Sequence, residues 1–472
     1  MVACFRQYQK YANNLKLTYL EHRLSTEAQV SAPSAVHTNE ALIKGPEQRA
    51  NIAHPIRSPY TIGDPVLGNR FAGRDEIMQR LEHLWITNET LHSIVLYGHR
   101  RMGKTSILRN ATDRIGSRSK VIYIDLQRLG NVEKGVGEVL LALSDEISEA
   151  TGVTPPKDEE FLQLPQRTFE QYLKAVLRAL EGPLTPNTGG TGEQPNSSLS
   201  QTSNNPDLES RSPDLGGWGA ASPNAPSETS QSTGLIIALD EFETLETLIH
   251  QGQLSEQFLG YLRGLVQMNP RLAFAFAGLH TLEEMTADYF QPFFASVIPI
   301  RVGFLNRAAT LQLLTTPSED FPLDYHPEAL EKIYALTHGQ PYLCQLVGFQ
   351  LVRRYNDYVF EQGRQRDNLL TIQDVDAVIT QQFFQRGRYY FDGVWGQAGQ
   401  GAPGQQAILQ ALATAPLTTA ELQTQLALDP ATLQTALATL QKHDVVEEID
   451  DEGRWQITVA LLKTWLTHYR DR

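Results

Sequence analysis

Gly98-His99-Arg100-Arg101-Met102-Gly103-Lys104-Thr105 fits G-x-x-x-x-G-K-[ST], and no other feature of this 472-residue chain narrows its fold as much. The pattern has chemical meaning in one setting, a turn that leaves a buried strand and opens a helix. Ser93–Tyr97 (SIVLY) supplies the strand, and the residues after Thr105 alternate apolar and polar with helical spacing. In that setting the glycines permit a tight turn whose backbone N–H groups converge on phosphate oxygens at a helix N-terminus. Lys104 neutralises the β and γ phosphates, and the Thr105 hydroxyl holds Mg²⁺. Gly98 through Ser106, which includes His99, Arg100, Arg101, Met102 and Gly103, are the candidate nucleotide-binding residues.

A phosphate loop needs a carboxylate at the end of an adjacent strand to hold the metal. Leu235–Leu239 (LIIAL) is an apolar run followed at once by Asp240-Glu241. Asp240 is the candidate metal carboxylate and Glu241 the candidate base that polarises the attacking water. The neighbouring run Leu272–Ala277 leads into Gly278-Leu279-His280, which makes His280 a candidate γ-phosphate sensor, the alternative being a loop histidine without a ligand.

Strand runs at Val121–Asp125, Leu235–Leu239, Leu272–Ala277 and Val297–Val302 alternate with helical stretches, which predicts an α/β domain with a parallel sheet over about 66–305. Pro183–Thr233 interrupts it: 37 of these 51 residues are Pro, Gly, Ser, Thr, Asn or Gln, too little apolar surface to bury, so a disordered insertion is expected. Residues 1–65 read as a partly helical tail and a proline-punctuated linker, and 306–385 as an all-helical lid. An aromatic hinge is expected at 386–403, its alternative being a platform for single-stranded bases. Over 404–472 the order helix, helix, helix, strand, turn, strand, helix predicts a winged helix.

Composition excludes several classes. Hydrophobic residues make up 41 % and charged residues 20 %, ordinary for a globular chain. Fifty-four Asp and Glu against 40 Lys and Arg argue against a surface that coats nucleic acid or an anionic membrane. Two cysteines exclude a disulfide framework, and the absence of an 18-residue apolar run or a signal-type start points to the cytosol without membrane contact.

Phe71-Ala72-Gly73-Arg74-Asp75-Glu76 resembles the hhGRE signature that precedes the phosphate loop in STAND-class signalling ATPases and in origin-recognition ATPases, relatives of AAA+ proteins; Asp75 stands where Glu is usual. His338-Gly339-Gln340-Pro341 resembles their GxP motif. The resemblance implies ATP and ADP as ligands, Arg74 as a site residue, and Pro341 as the residue that packs on adenine. It also implies a slowly hydrolysing switch in which nucleotide exchange controls opening and assembly with itself or a protein partner, the alternatives being a DNA-binding ATPase and a module that only binds ATP. The sequence departs from these relatives in lacking an obvious arginine finger; Arg263, Arg301, Arg353 and Arg354 are candidate trans-acting or sensor arginines, the alternative being surface or structural roles. Origin-recognition relatives use the winged helix on DNA, but residues 404–472 carry five basic and nine acidic residues, and Ala431–Gln441, the helix that would enter the groove, has no Arg or Lys. DNA is therefore a disfavoured partner and a protein-facing module the expected one.

Overall fold

The computed structural model describes residues 52–115, 119–130, 132–133, 135–181, 234–279, 297–450 and 453–470. The expected tail before residue 52, the expected insertion over 183–233, and His280 lie outside them.

Helix α1 (Asp75–Glu82) precedes strand β1 (Ile94–Tyr97) and the phosphate-loop helix α2 (Lys104–Ile115). Then come β2 (Ser119–Asp125), α3 (Val136–Thr151), α4 (Asp158–Gln163), α5 (Pro165–Ala179), β3 (Gly234–Asp240), α6 (Glu243–His250), α7 (Gln257–Met268), β4 (Leu272–Gly278) and β5 (Ile298–Arg301). The five strands pair in parallel in the order β2-β3-β4-β1-β5. This is the α/β class expected from the alternation of strand and helix signals.

The sheet is covered on both faces, so its central strands are apolar throughout. Successive residues alternate between faces. In β4, Phe274 and Phe276 enter the core shared with α3, α5 and α7, whereas Ala273, Ala275 and Ala277 enter the opposite core with α1 and α2. The small alanine face lies toward α2, which leaves room for the phosphate-loop helix to sit close to the sheet.

Beyond β5 run α8 (Arg307–Thr315), β6 (Asp324–Tyr325), α9 (Pro327–Thr337), α10 (Pro341–Asn356), β7 (Leu369–Leu370), α11 (Ile372–Val378), α12 (Gln381–Arg386) and α13 (Arg388–Gln400). α11 and α12 are separate helices because Ile379 leaves the helical region (ψ 76°) and Thr380 is extended. The expected hinge at 386–403 is helical over α13, and Tyr390, Phe391 and Val394 are buried, so this joint is packed rather than loose. The C-terminal module follows as α14 (Gln405–Leu412), β8 (Leu417–Thr418), α15 (Thr419–Leu426), α16 (Pro430–Lys442), β9 (Val446–Glu448), β10 (Arg454–Ile457) and α17 (Ala460–His468). Its strands form an antiparallel sheet in the order β8-β10-β9. One continuous apolar core joins α8–α13 to this module; Phe391 stacks on Trp465 and Phe384 on Tyr469 across the boundary.

Residues 52–67, expected as linker, run as an extended strap. Asn356 reads both backbone groups of Ile56, accepting from its N–H and donating to its C=O, each at 2.9 Å. Tyr60 is buried in the helical core and donates its hydroxyl to Leu314 O. On the sheet side, Asn110 of α2 donates to Val66 O and accepts from Gly68 N. The strap is thus tied to both halves of the molecule.

Candidate functional site

The phosphate loop leaves β1 at the carboxyl edge of the sheet, where open α/β folds place ligands. Its turn needs unusual backbone: φ is +154° at Gly98, +63° at Arg101 and +92° at Gly103. A side chain at Gly98 would drive into Val302 O. Lys104 Nζ donates to two carbonyls of the loop itself, Gly98 O (2.8 Å) and His99 O (3.0 Å). An ammonium has three N–H donors, so one remains for a phosphate. Ser106 accepts from Val66 N of the strap, and Met102 is buried in the core beneath the loop.

Thr105 Oγ1 donates to Asp240 Oδ2 at 2.6 Å, and Asp240 Oδ1 accepts from Glu241 N. The hydroxyl and the carboxylate expected to share a metal are therefore in direct contact. Paired hard oxygens suit Mg²⁺, which takes oxygen ligands and shares its sphere with substrate phosphates. Tyr123 of β2 adds a third group, donating its hydroxyl to the same Asp240 Oδ2 at 3.0 Å. Burial, reinforced by the Asp240 charge, pushes the Tyr123 hydroxyl above its ordinary value and keeps it a donor.

Glu241 has φ +53°, a conformation uncommon outside glycine that is found where side chains must be aimed at a site. It lines the cavity above Lys104 and Thr105. Burial raises its carboxyl, the Asp240 charge raises it further, and Lys104 and Arg100 pull it down. Glu243, unremarked in the sequence reading, joins the group. Its Oε1 accepts from Leu279 N, its Oε2 is buried without a hydrogen bond, and burial pushes its carboxyl up to about 7 against the pull of Lys104. Three carboxylates thus face Lys104, whose own ammonium is lowered chiefly by burial. The D-E-F-E spacing was the available signal, since a strand end followed by one helical turn returns the fourth residue to the same side.

A cavity of about 450 Å³ opens over the loop, within the range of about 300–1,000 Å³ usual for small-ligand sites. The strap forms one wall through Thr61 and Gly63–Val66, and the lid closes it with Pro341, Tyr342 and Gln345. Pro341 therefore stands in the cavity wall with the phosphate loop. Gln340, fully buried, donates to Arg101 O and ties α10 to the loop. Arg74 also lines the cavity, but its guanidinium is spent on two carbonyls, Met102 O (2.8 Å) and Gly303 O (2.7 Å). It clamps the loop to the β5–α8 connection, and burial lowers it to about 10.

His99 points away from the cavity. Its ring is buried 6.4 Å from both Tyr390 of α13 and His443, which follows α16. Burial, with the nearby His443 and Lys104, lowers it to about 3, so it is a neutral packing residue at the junction with the C-terminal module. Beside it, Asp444 forms an ion pair with Arg301 at the end of β5. The remaining finger candidates do not face the cavity: Arg353 and Arg354 pair with Asp357 and Asp374, and Arg263 is absent from the cavity wall.

No family model matches the sequence, and no curated protein matches it. Among solved structures, the chain is similar to the Walker-type ATPase PABY2304 of Pyrococcus abyssi, with 16 % identity over 86 % of this chain and 99 % of that one, at a TM-score of 0.55. Lower-scoring matches include Orc1 of Aeropyrum pernix in complex with DNA (13 % identity, 84 % and 93 % covered, TM-score 0.39) and Cdc6p of Pyrobaculum aerophilum (14 %, 85 % and 94 %, 0.38). The likeness to the Pyrococcus protein shows a shared fold.

Proposed function

We propose that the protein is an ATP-binding, slowly hydrolysing switch of the STAND type, with residues 404–472 as its winged helix. The observation that carries this reading is the contact between the phosphate loop and both outer modules: Gln340 of the lid bonds Arg101 O, and His443 lies against His99 while Asp444 pairs with Arg301. A ligand between loop and lid therefore acts on the position of everything beyond β5. ADP holds this closed arrangement, and the γ-phosphate of ATP favours an open form able to assemble. Inverting a closed-to-open ratio from 99:1 to 1:99 requires about 5.5 kcal/mol of differential binding.

Thr105 and Asp240 would hold Mg²⁺, which would supply neutralisation of phosphate charge. Lys104 and the loop N–H groups fix the polyphosphate, and Glu241 takes the proton of the attacking water. Lys104→Ala abolishes ATP binding on this reading, and an unchanged ATP affinity overturns it. Native mass by light scattering, with ADP and then with a slowly hydrolysed ATP analogue plus Mg²⁺, tests the switch; a mass that does not change removes assembly from the function. Against a DNA-binding reading stand the acid-rich module and the neutral face of α16; duplex binding that weakens steeply with salt would restore it.

A further inference from the structure

Four arginines line the cavity: Arg70, Arg74, Arg100 and Arg101. Three are committed elsewhere. Arg70 donates to Pro59 O and Thr61 Oγ1 of the strap, and Arg74 holds Met102 O and Gly303 O. Arg101 donates to Gly63 O and lies 4.8 Å over the Tyr342 ring. The Arg100 guanidinium has no hydrogen bond or ion pair among the described residues.

Its position is nonetheless defined. The Arg100 stem runs beside Gly393 of α13, where an added Cβ would stand 3.7 Å from Arg100 Cδ. Arg100 lines the cavity together with Lys104, Thr105 and Glu241, the phosphate lysine and the candidate base among them. A phosphoryl group bound over the loop would be attracted by both the Lys104 ammonium and the Arg100 guanidinium. A guanidinium suits the task because its planar fork matches phosphoryl oxygens.

We propose that Arg100 is a catalytic arginine supplied in cis by the phosphate loop, donating to the γ-phosphoryl oxygens as charge develops in hydrolysis, so that one chain turns over ATP without an arginine from a second copy. The inference rests on the hydrolytic reading above. Water oxygen forms a bond to the γ-phosphorus, and the bond from that phosphorus to the β–γ bridging oxygen breaks with its electron pair left on ADP. The water proton passes to Glu241. Arg100 neither gains nor loses a proton or a covalent bond; it stabilises charge that is greatest in the transition state.

The test uses the full chain and its Arg100→Ala and Arg100→Lys variants, with ATP and ADP affinities, single-turnover hydrolysis, and binding of Mg²⁺–ADP with aluminium fluoride as a transition-state mimic. Expected is a fall of about 10³-fold in the hydrolytic rate constant of Arg100→Ala, with ATP affinity within a few-fold of wild type. Capture of the mimic is lost, Arg100→Lys recovers only part of the rate, and wild-type turnover per chain is constant on dilution. Wild-type hydrolysis by Arg100→Ala overturns this inference and leaves the ATPase reading intact. A loss confined to ATP affinity makes Arg100 a ground-state contact and overturns its catalytic role. Turnover per chain that rises with concentration overturns action in cis, and a wild-type chain that binds ATP without hydrolysing it overturns both readings.

Discussion

Tyr60 is one of the residues that anchor the strap to the helical body, and Tyr60→Ala tests whether the strap is part of the nucleotide site. Its ring is buried edge-to-face against Phe321 with centroids 5.7 Å apart, and its hydroxyl lies 2.7 Å from Leu314 O and 2.8 Å from Tyr325 Oη. Beneath it is Gly348, where an added Cβ would stand 2.6 Å from the ring, so no side chain below can relax into the space left behind. Truncating a buried aromatic of this kind costs about 3–5 kcal/mol. The loss falls on docking of the strap, whose residues Thr61 and Gly63–Val66 wall the cavity. Once docking passes below balance, apparent ATP affinity declines in proportion to the docked fraction, about tenfold for each further 1.4 kcal/mol. Tyr60→Phe keeps the ring and loses only the hydroxyl bonds, about 1–3 kcal/mol. Titration with a fluorescent ATP analogue, beside urea unfolding, therefore ranks wild type above Tyr60→Phe above Tyr60→Ala. Wild-type affinity in Tyr60→Ala refutes the strap's role in the site, whatever its unfolding midpoint.

The Arg301–Asp444 pair is half-exposed on the arginine side and is worth at most about 1 kcal/mol, so Asp444→Ala should speed ADP release by no more than about five-fold while leaving the unfolding midpoint nearly unchanged. A larger stability loss than release effect contradicts its role as a closing contact. Glu243 titrates near 7 in the folded chain against 4.5 for an ordinary glutamate, so the folded state keeps a proton that the unfolded chain has shed. Its contribution lowers stability as pH rises from about 4.5 to 7 and is constant above. Glu243→Gln should therefore gain on wild type across that window in urea midpoints measured from pH 4.5 to 8, and parallel profiles contradict the assignment.

The turn at Gly98–Thr105 and the acidic pair after β3 were legible because their signals are local: eight contiguous residues make the turn, and Asp240 follows a strand apolar on both faces. The order of strands and helices was legible for the same reason, since burial on two faces and amphipathic helices leave different periods. The strap was not. Pro55, Pro59 and Pro65 read as linker, and an extended segment bound through backbone groups to Asn110 and Asn356 leaves no periodic trace. Strands β6 and β7, two residues each, are too short to alternate. Tyr123 looked like one aromatic in a buried run. Its role depends on parallel register, which sets Tyr123 opposite Ala238 and Asp125 opposite Asp240, and so on a pairing of segments more than a hundred residues apart.

On the proposed switch, the place of opening follows from how the cores are divided. The lid and the C-terminal module share one apolar core, crossed by the Phe391–Trp465 and Phe384–Tyr469 stacks, so separating them exposes large aromatic surface. Contacts from that joint body to the phosphate-loop side include single polar links, Gln340 to Arg101 O and Asp444 to Arg301, which cost far less to exchange for water. The economical motion is therefore rotation of residues 305–470 as one body, with the chain bending at 302–304 and in the strap at 61–66, beside the cavity. Hydrogen exchange compared between ADP and a slowly hydrolysed ATP analogue should show α10 and α17 protected alike in both states, with changes concentrated at those two connections. Loss of protection in α17 alone would place the opening between lid and C-terminal module and overturn the single-body motion.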